Sequence, residues 1–68
     1  MEVMQIKLSP RELEVVKQIA EGYRTDDIAD KLFISPFTVK AHRKNILRKM
    51  NERNCVGVIS RCIREGWL

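Results

Sequence analysis

Residues 25–50 read TDDIADKLFISPFTVKAHRKNILRKM, and this stretch decides the fold. It contains two helical patterns with almost nothing between them. The first opens at Thr25, a suitable N-cap, followed by Asp26 and Asp27, whose charges favour a helix N-terminus. Ile28, Ala29 and Leu32 then fall on one face. The second opens with Ser35-Pro36, an N-cap followed by the proline suited to the first helical position. It runs to Met50, with Asn51 able to close it in the left-handed conformation. Between the two lie only Phe33 and Ile34. So short a link forces the helices to cross steeply, with Ile34 expected to be buried as the pin. The sequence therefore predicts a helix-turn-helix.

The second helix of that pair has two distinct faces. Val39, Ile46 and Met50 point inward, with His42 on the same stripe as a half-buried structural residue. Phe37, Lys40, Ala41, Lys44 and Arg48 point the other way. Upstream, Ser9-Pro10-Arg11-Glu12 spells a capping box that starts another helix, with Leu13, Val16, Ile19 and Ala20 as its apolar positions and Gly22 as its end. Downstream, a last helix is expected from about Asn54 to Glu65, stopped by Gly66. Its arc of Cys55, Val56, Val58, Ile59, Cys62 and Ile63 is wider than a small core requires, and Gly57 and Ser60 border the surplus side. The fold class is all-α: a four-helix bundle with a central helix-turn-helix. Residues 1–6 form an N-terminal arm and residues 7–68 the single domain that 68 residues permit. Cys55 and Cys62 stand two helical turns apart, about 10 Å along the axis. That is too far for a disulfide, and both read as small core residues of a reducing compartment.

The net charge of +4 is unevenly placed. Residues 1–35 carry seven acids against five bases, whereas residues 36–53 carry six bases (Lys40, Arg43, Lys44, Arg48, Lys49, Arg53) against Glu52 alone. Positive charge gathered on one helix is the footprint of a polyanion binder. The B-DNA major groove admits one α-helix, and Ala41 on the basic face allows close approach. Double-stranded DNA is therefore the expected partner. Other classes recede. No apolar run approaches the roughly 18 residues of a membrane span, and no signal peptide is visible, so a cytoplasmic location is expected. No nucleophile has a base at readable spacing, and one His with two Cys makes no metal site, so neither catalysis nor a cofactor or metal is expected. A second reading stays open, that of a helical interaction module whose basic face meets an acidic protein, as does a sigma-factor-like fragment contacting promoter DNA.

The wording is more specific than the pattern. Leu8-Ser9-Pro10-Arg11-Glu12, Ile19-Ala20-Glu21-Gly22, Asp27-Ile28-Ala29, Leu32, Ile34-Ser35, Thr38-Val39-Lys40, His42, Asn45-Ile46 and Lys49-Met50 together resemble the LuxR/GerE-type DNA-binding domain over about residues 7–68. The resemblance implies a four-helix transcriptional regulator domain whose third helix reads the major groove and whose fourth mediates dimerisation. Lys40 and Lys44 fall where the family contacts bases, and their outward geometry agrees. Ala41 would meet a thymine methyl or permit close approach. Phe37 would press on a thymine methyl or sugar, or else pack against Phe33 or the first helix. Arg24, Thr25, Thr38, Arg43 and Arg48 are expected at phosphates. Val56, Gly57, Ser60, Ile63 and Arg64 are expected to form a weak homodimer interface, and RNA polymerase is a further candidate partner.

The chain departs from the family in three places. Tyr23-Arg24-Thr25-Asp26-Asp27 replaces a small polar residue followed by Asn-Lys-Glu. Glu52 and Cys55 stand where an apolar residue and an Arg are common, which leaves the loop's bracing to Arg53. Phe37 is unusual at a DNA-facing position. Met1 and Leu68 fit a free-standing regulator and equally an output domain cut from a longer one.

Overall fold

The computed structural model describes residues 8–68, so the N-terminal arm expected over residues 1–6 lies outside the described residues. The chain forms α1 (Pro10–Ala20), α2 (Thr25–Leu32), α3 (Pro36–Met50) and α4 (Cys55–Arg64), with no strand among the described residues. Among the described residues, no helix is long and apolar enough to cross a membrane.

The four helices end in the same way. After each, a residue one or two positions past the end donates its N–H to the carbonyl three back, and the next residue donates to the carbonyl five back. For α1 these bonds are Gly22 to Ile19 and Tyr23 to Gln18, and for α3 they are Asn51 to Arg48 and Glu52 to Leu47. The pivot must take positive φ, and it does so at Gly22 (94°), Phe33 (58°), Asn51 (54°) and Gly66 (79°). Three pivots are residue types that tolerate this conformation. Phe33, the pivot of the helix-turn-helix itself, is not.

The starts follow the sequence with one correction. Ser9 caps α1 in a full capping box: its Oγ accepts the Glu12 N–H (3.1 Å), and the Glu12 carboxylate accepts the Ser9 N–H (2.9 Å). Ser35 and Asn54 cap α3 and α4 through Thr38 N–H and Gly57 N–H. α2, however, is capped one residue earlier than expected, at Arg24, whose N–H donates to the Asp27 carboxylate at 3.2 Å. Thr25 becomes the first helical residue, its hydroxyl already engaged by Arg43.

The core comprises Leu8, Val15, Val16, Ile28, Ala29, Val39, Ile46, Met50, Val58 and Cys62. Burial of each large aliphatic side chain contributes roughly 1.5–3 kcal/mol. α1 and α3 each touch all three other helices, while α2 and α4 do not pack on one another. The inward stripe of α3 is as expected, and His42 is half-buried beside it. The stripe of α1 is rotated. Glu12, Val15 and Val16 are buried, Leu13 is only partly so, and Ala20 is exposed. Leu13 to Ala20 contains apolar residues on two overlapping arcs, and the contact between Glu12 and α3 selects the one through Val15. Ile34 packs against the core but is half-buried, so the pin of the turn is looser than expected.

Candidate nucleic-acid interface

α3 contains no acidic residue. Phe37, Lys40, Ala41, Lys44 and Arg48 all stand exposed on its outer face, and the first four line one shallow surface depression. The sequence reading of this face is thus reproduced as a single surface. Phe37 is 79% exposed and Phe33 94%. Packing of Phe37 against Phe33 or α1 is thereby excluded, and the ring faces solvent among lysines. Arg48 is steadied along the helix by donating to Asn45 Oδ1 (3.1 Å). Thr38 is half-buried at the helix start, its hydroxyl 2.9 Å from that of Ser35.

Two of the five bases on α3 do not belong to that face. Lys49 reaches across to α1, with Nζ 2.8 and 3.1 Å from the two oxygens of the Glu12 carboxylate. Arg43 is turned inward, against the expectation that it is free for phosphate. It donates to Thr25 Oγ1 (3.0 Å) at the start of α2 and to Cys55 Sγ (3.5 Å) at the start of α4. It therefore joins the two helices that do not pack directly on each other. Helical position carried the signal: Arg43 is four residues after Val39 and three before Ile46, at the edge of the inward arc of α3.

Glu12 feels opposing influences. Burial disfavours its charge, but the ammonium of Lys49 and the donors at Ser9 outweigh that cost and hold its carboxyl below the ordinary value of 4.5. Burial raises the Cys62 thiol, partly offset by the charge of Arg61.

The loop after α3 is braced differently from expectation. Arg53 is exposed, and Arg61 takes the bracing role by donating from α4 to the Met50 carbonyl (3.1 Å), one of the orphan carbonyls at the end of α3. The Glu52 side chain folds over Gly57, where any Cβ would collide with its carboxylate. Gly57 is half-buried, with the tip of the Glu52 side chain resting against it. Val56 (73% exposed), Ser60, Ile63 (63% exposed) and Arg64 share one outer face.

At the start of α2, Arg24 is exposed, but Asp26 and Asp27 share its first turn, and Asp27 already occupies the Arg24 N–H. This N-terminus is a less open anion seat than its sequence suggested.

Two helices crossing at a tight turn, braced from behind by α1 and α4, with the second presenting an acid-free cationic face, define a helix-turn-helix DNA-binding domain. The sequence profile described as bacterial regulatory proteins, luxR family, matches residues 6–62, and the chain belongs to that family. It is similar to an uncharacterized transcriptional regulatory protein YxjL of Bacillus subtilis, 48% identical over 56 residues, which are 82% of this chain and 26% of that protein. It is also similar to the oxygen regulatory protein NreC of Staphylococcus epidermidis, 54% identical over 44 residues (65% and 20%). A third relative is the transcriptional regulatory protein DegU of Brevibacillus brevis, 39% identical over 61 residues (90% and 26%). The chain spans about a quarter or less of the length of these relatives. Its function is that of a DNA-binding domain of transcriptional regulators.

Proposed function

We propose that this domain, residues 7–68, reads a specific duplex sequence by laying α3 in the major groove. Lys40 and Lys44 donate to base edges there, with Phe37 and Ala41 beside them. Arg24, Thr25, Thr38 and Arg48 meet phosphates on either side. Val56, Ser60, Ile63 and Arg64 of α4 form a weak two-fold contact between copies bound to adjacent half-sites. The domain serves as the output module of a longer cytoplasmic regulator, with RNA polymerase as its downstream partner and no catalytic step of its own.

One observation carries this reading. On the outer face of α3, Lys40, Lys44 and Arg48 have no carboxylate partner among the described residues, whereas Lys49, which leaves that face, has one. A helix that spends no acid on neutralising three exposed cations presents them to an external polyanion.

Titration of labelled duplex by fluorescence anisotropy at two salt concentrations tests it. Affinity should fall steeply with salt. Lys40→Ala and Lys44→Ala should each weaken binding to a selected site by roughly 1–3 kcal/mol and relax preference at one position. Equal losses on selected and random duplex would overturn the base-reading assignment, and no binding at low salt would overturn the DNA reading itself.

A further inference from the structure

The cations of α3 account for attraction to DNA, but they do not account for Phe37. A side chain 79% exposed contributes little to the fold. It is neither at the rim nor alone: it lines the same depression as Ala41, Lys40 and Lys44. Phe37 and Ala41 are one turn apart on one side of the face, and Lys40 and Lys44 are one turn apart on the other. The face therefore has an apolar ridge beside a cationic one.

We propose that the apolar ridge of Phe37 and Ala41 reads the C5-methyl groups of two thymines, while Lys40 and Lys44 read neighbouring guanines. This rests on α3 being the groove-reading helix and adds the class of base that it selects.

The argument is one of complementarity. Of the base edges displayed in the major groove, only thymine offers an apolar group, its methyl. Cytosine offers an amino donor, and adenine an amino donor beside an acceptor. A phenyl ring cannot hydrogen-bond, so against cytosine or adenine it strips water from the amino group without replacing the bond, whereas against thymine it buries two apolar surfaces. Phe37 thus favours one base and penalises others, which is how specificity is built. The spacing also fits. One turn advances about 5–6 Å along α3, close to two base-pair rises of roughly 3.4 Å. Phe37 is the second residue of the helix, and the N-terminal residues of a recognition helix are the ones that reach base edges. The flanking lysines argue against an apolar protein partner at this ridge, because such a partner would have to desolvate them unpaired.

The test starts from a duplex selected by the parent domain from a random 20-bp pool. It is resynthesised in three forms: with thymine, with deoxyuridine, which lacks the methyl, and with 5-bromodeoxyuridine, whose bromine restores the bulk. The parent should lose about fourfold in affinity per methyl removed, as expected for burial of one such group, and should recover with bromine. Phe37→Ser should lose the preference for the methyl at one of the two thymines and keep it at the other, while Phe37→Leu keeps both. Circular dichroism should show both variants folded, since the position is exposed. Equal binding of the parent to thymine and deoxyuridine forms would overturn the proposal and leave the ring to a protein partner. A loss that bromine does not restore would overturn it too, by assigning the effect to groove shape. Either outcome with intact salt-dependent binding spares the DNA reading; absence of any selected duplex would remove that reading instead.

Discussion

Phe33 sits in the left-handed region at φ 58° and ψ 44°, and 94% of its surface is exposed. The conformation costs an L-residue of this bulk roughly 1–2 kcal/mol, and packing repays almost none of it. Phe33→Asn should therefore stabilise the domain by about 0.5–1 kcal/mol, because asparagine tolerates the same backbone. Denaturant melts should show a higher midpoint at unchanged slope. A lower midpoint would mean that the ring holds the turn after all. Nothing in the type of residue 33 announces a left-handed pivot, whereas Gly22, Asn51 and Gly66 could be read as helix ends at once. Glu12 was half legible in the same sense. Its capping role follows from Ser9 three residues earlier, but its partner Lys49 is 37 residues away. Glu12 should also make stability depend on acid. Its folded pKa lies below 4.5, so its contribution is complete above the unfolded value and is lost as pH falls through the folded one. The parent should lose more stability than Glu12→Gln between about pH 5 and pH 3, and parallel curves would contradict the pair's role.

At the scale of elements, α3 was legible end to end because each boundary carries its own chemistry, Ser35-Pro36 at the start and Asn51 at the close. Its inward face followed from period alone. Ile46→Ala should cost about 2–5 kcal/mol, a large share of what a domain this small possesses. An unchanged thermal midpoint would mean that α3 is rotated. α1 was less legible. Its apolar residues form two overlapping arcs, and the choice between them is made by contact with α3, which period cannot see. Leu13→Ala should accordingly cost less than Val15→Ala. For α4, Glu52 lying over Gly57 changes which variant is informative. Substitution of Gly57 would also displace the Glu52 carboxylate, so Val56→Glu, on the exposed face, is the cleaner probe. It should abolish cooperative binding to a duplex with two half-sites roughly 34 Å apart while sparing single-site binding. Cooperativity equal to the parent's would place the interface elsewhere.

For the molecule as a whole, the basic segment divides its labour. The charge pattern singled out α3 but overstated the reach of its basic face, because a one-dimensional count cannot tell Lys49 and Arg43, which tie helices together, from Lys40, Lys44 and Arg48, which do not. The two groups should separate experimentally. Arg48→Ala should flatten the dependence of log affinity on log salt by about one unit without lowering stability. Arg43→Ala and Lys49→Ala should lower the melting temperature and leave the salt slope as it was. Reversed results would reassign the side chains. Arg43 has the wider structural reach, since its bonds to Thr25 and Cys55 add a direct link between α2 and α4, which otherwise meet only through α1 and α3.

The Glu12 carboxylate serves two elements at once, closing the first turn of α1 while holding the last turn of α3 through Lys49. Neither end can fray alone without disturbing the bonds that secure the other. The usual freedom of helix termini to open locally is thus exchanged here for shared opening. Amide protons in the opening turn of α1 and the closing turn of α3 should exchange with solvent deuterium in a single kinetic class, and Glu12→Ala should speed both together. The far end of α1, at Ala20, has no such tether and should exchange on its own schedule.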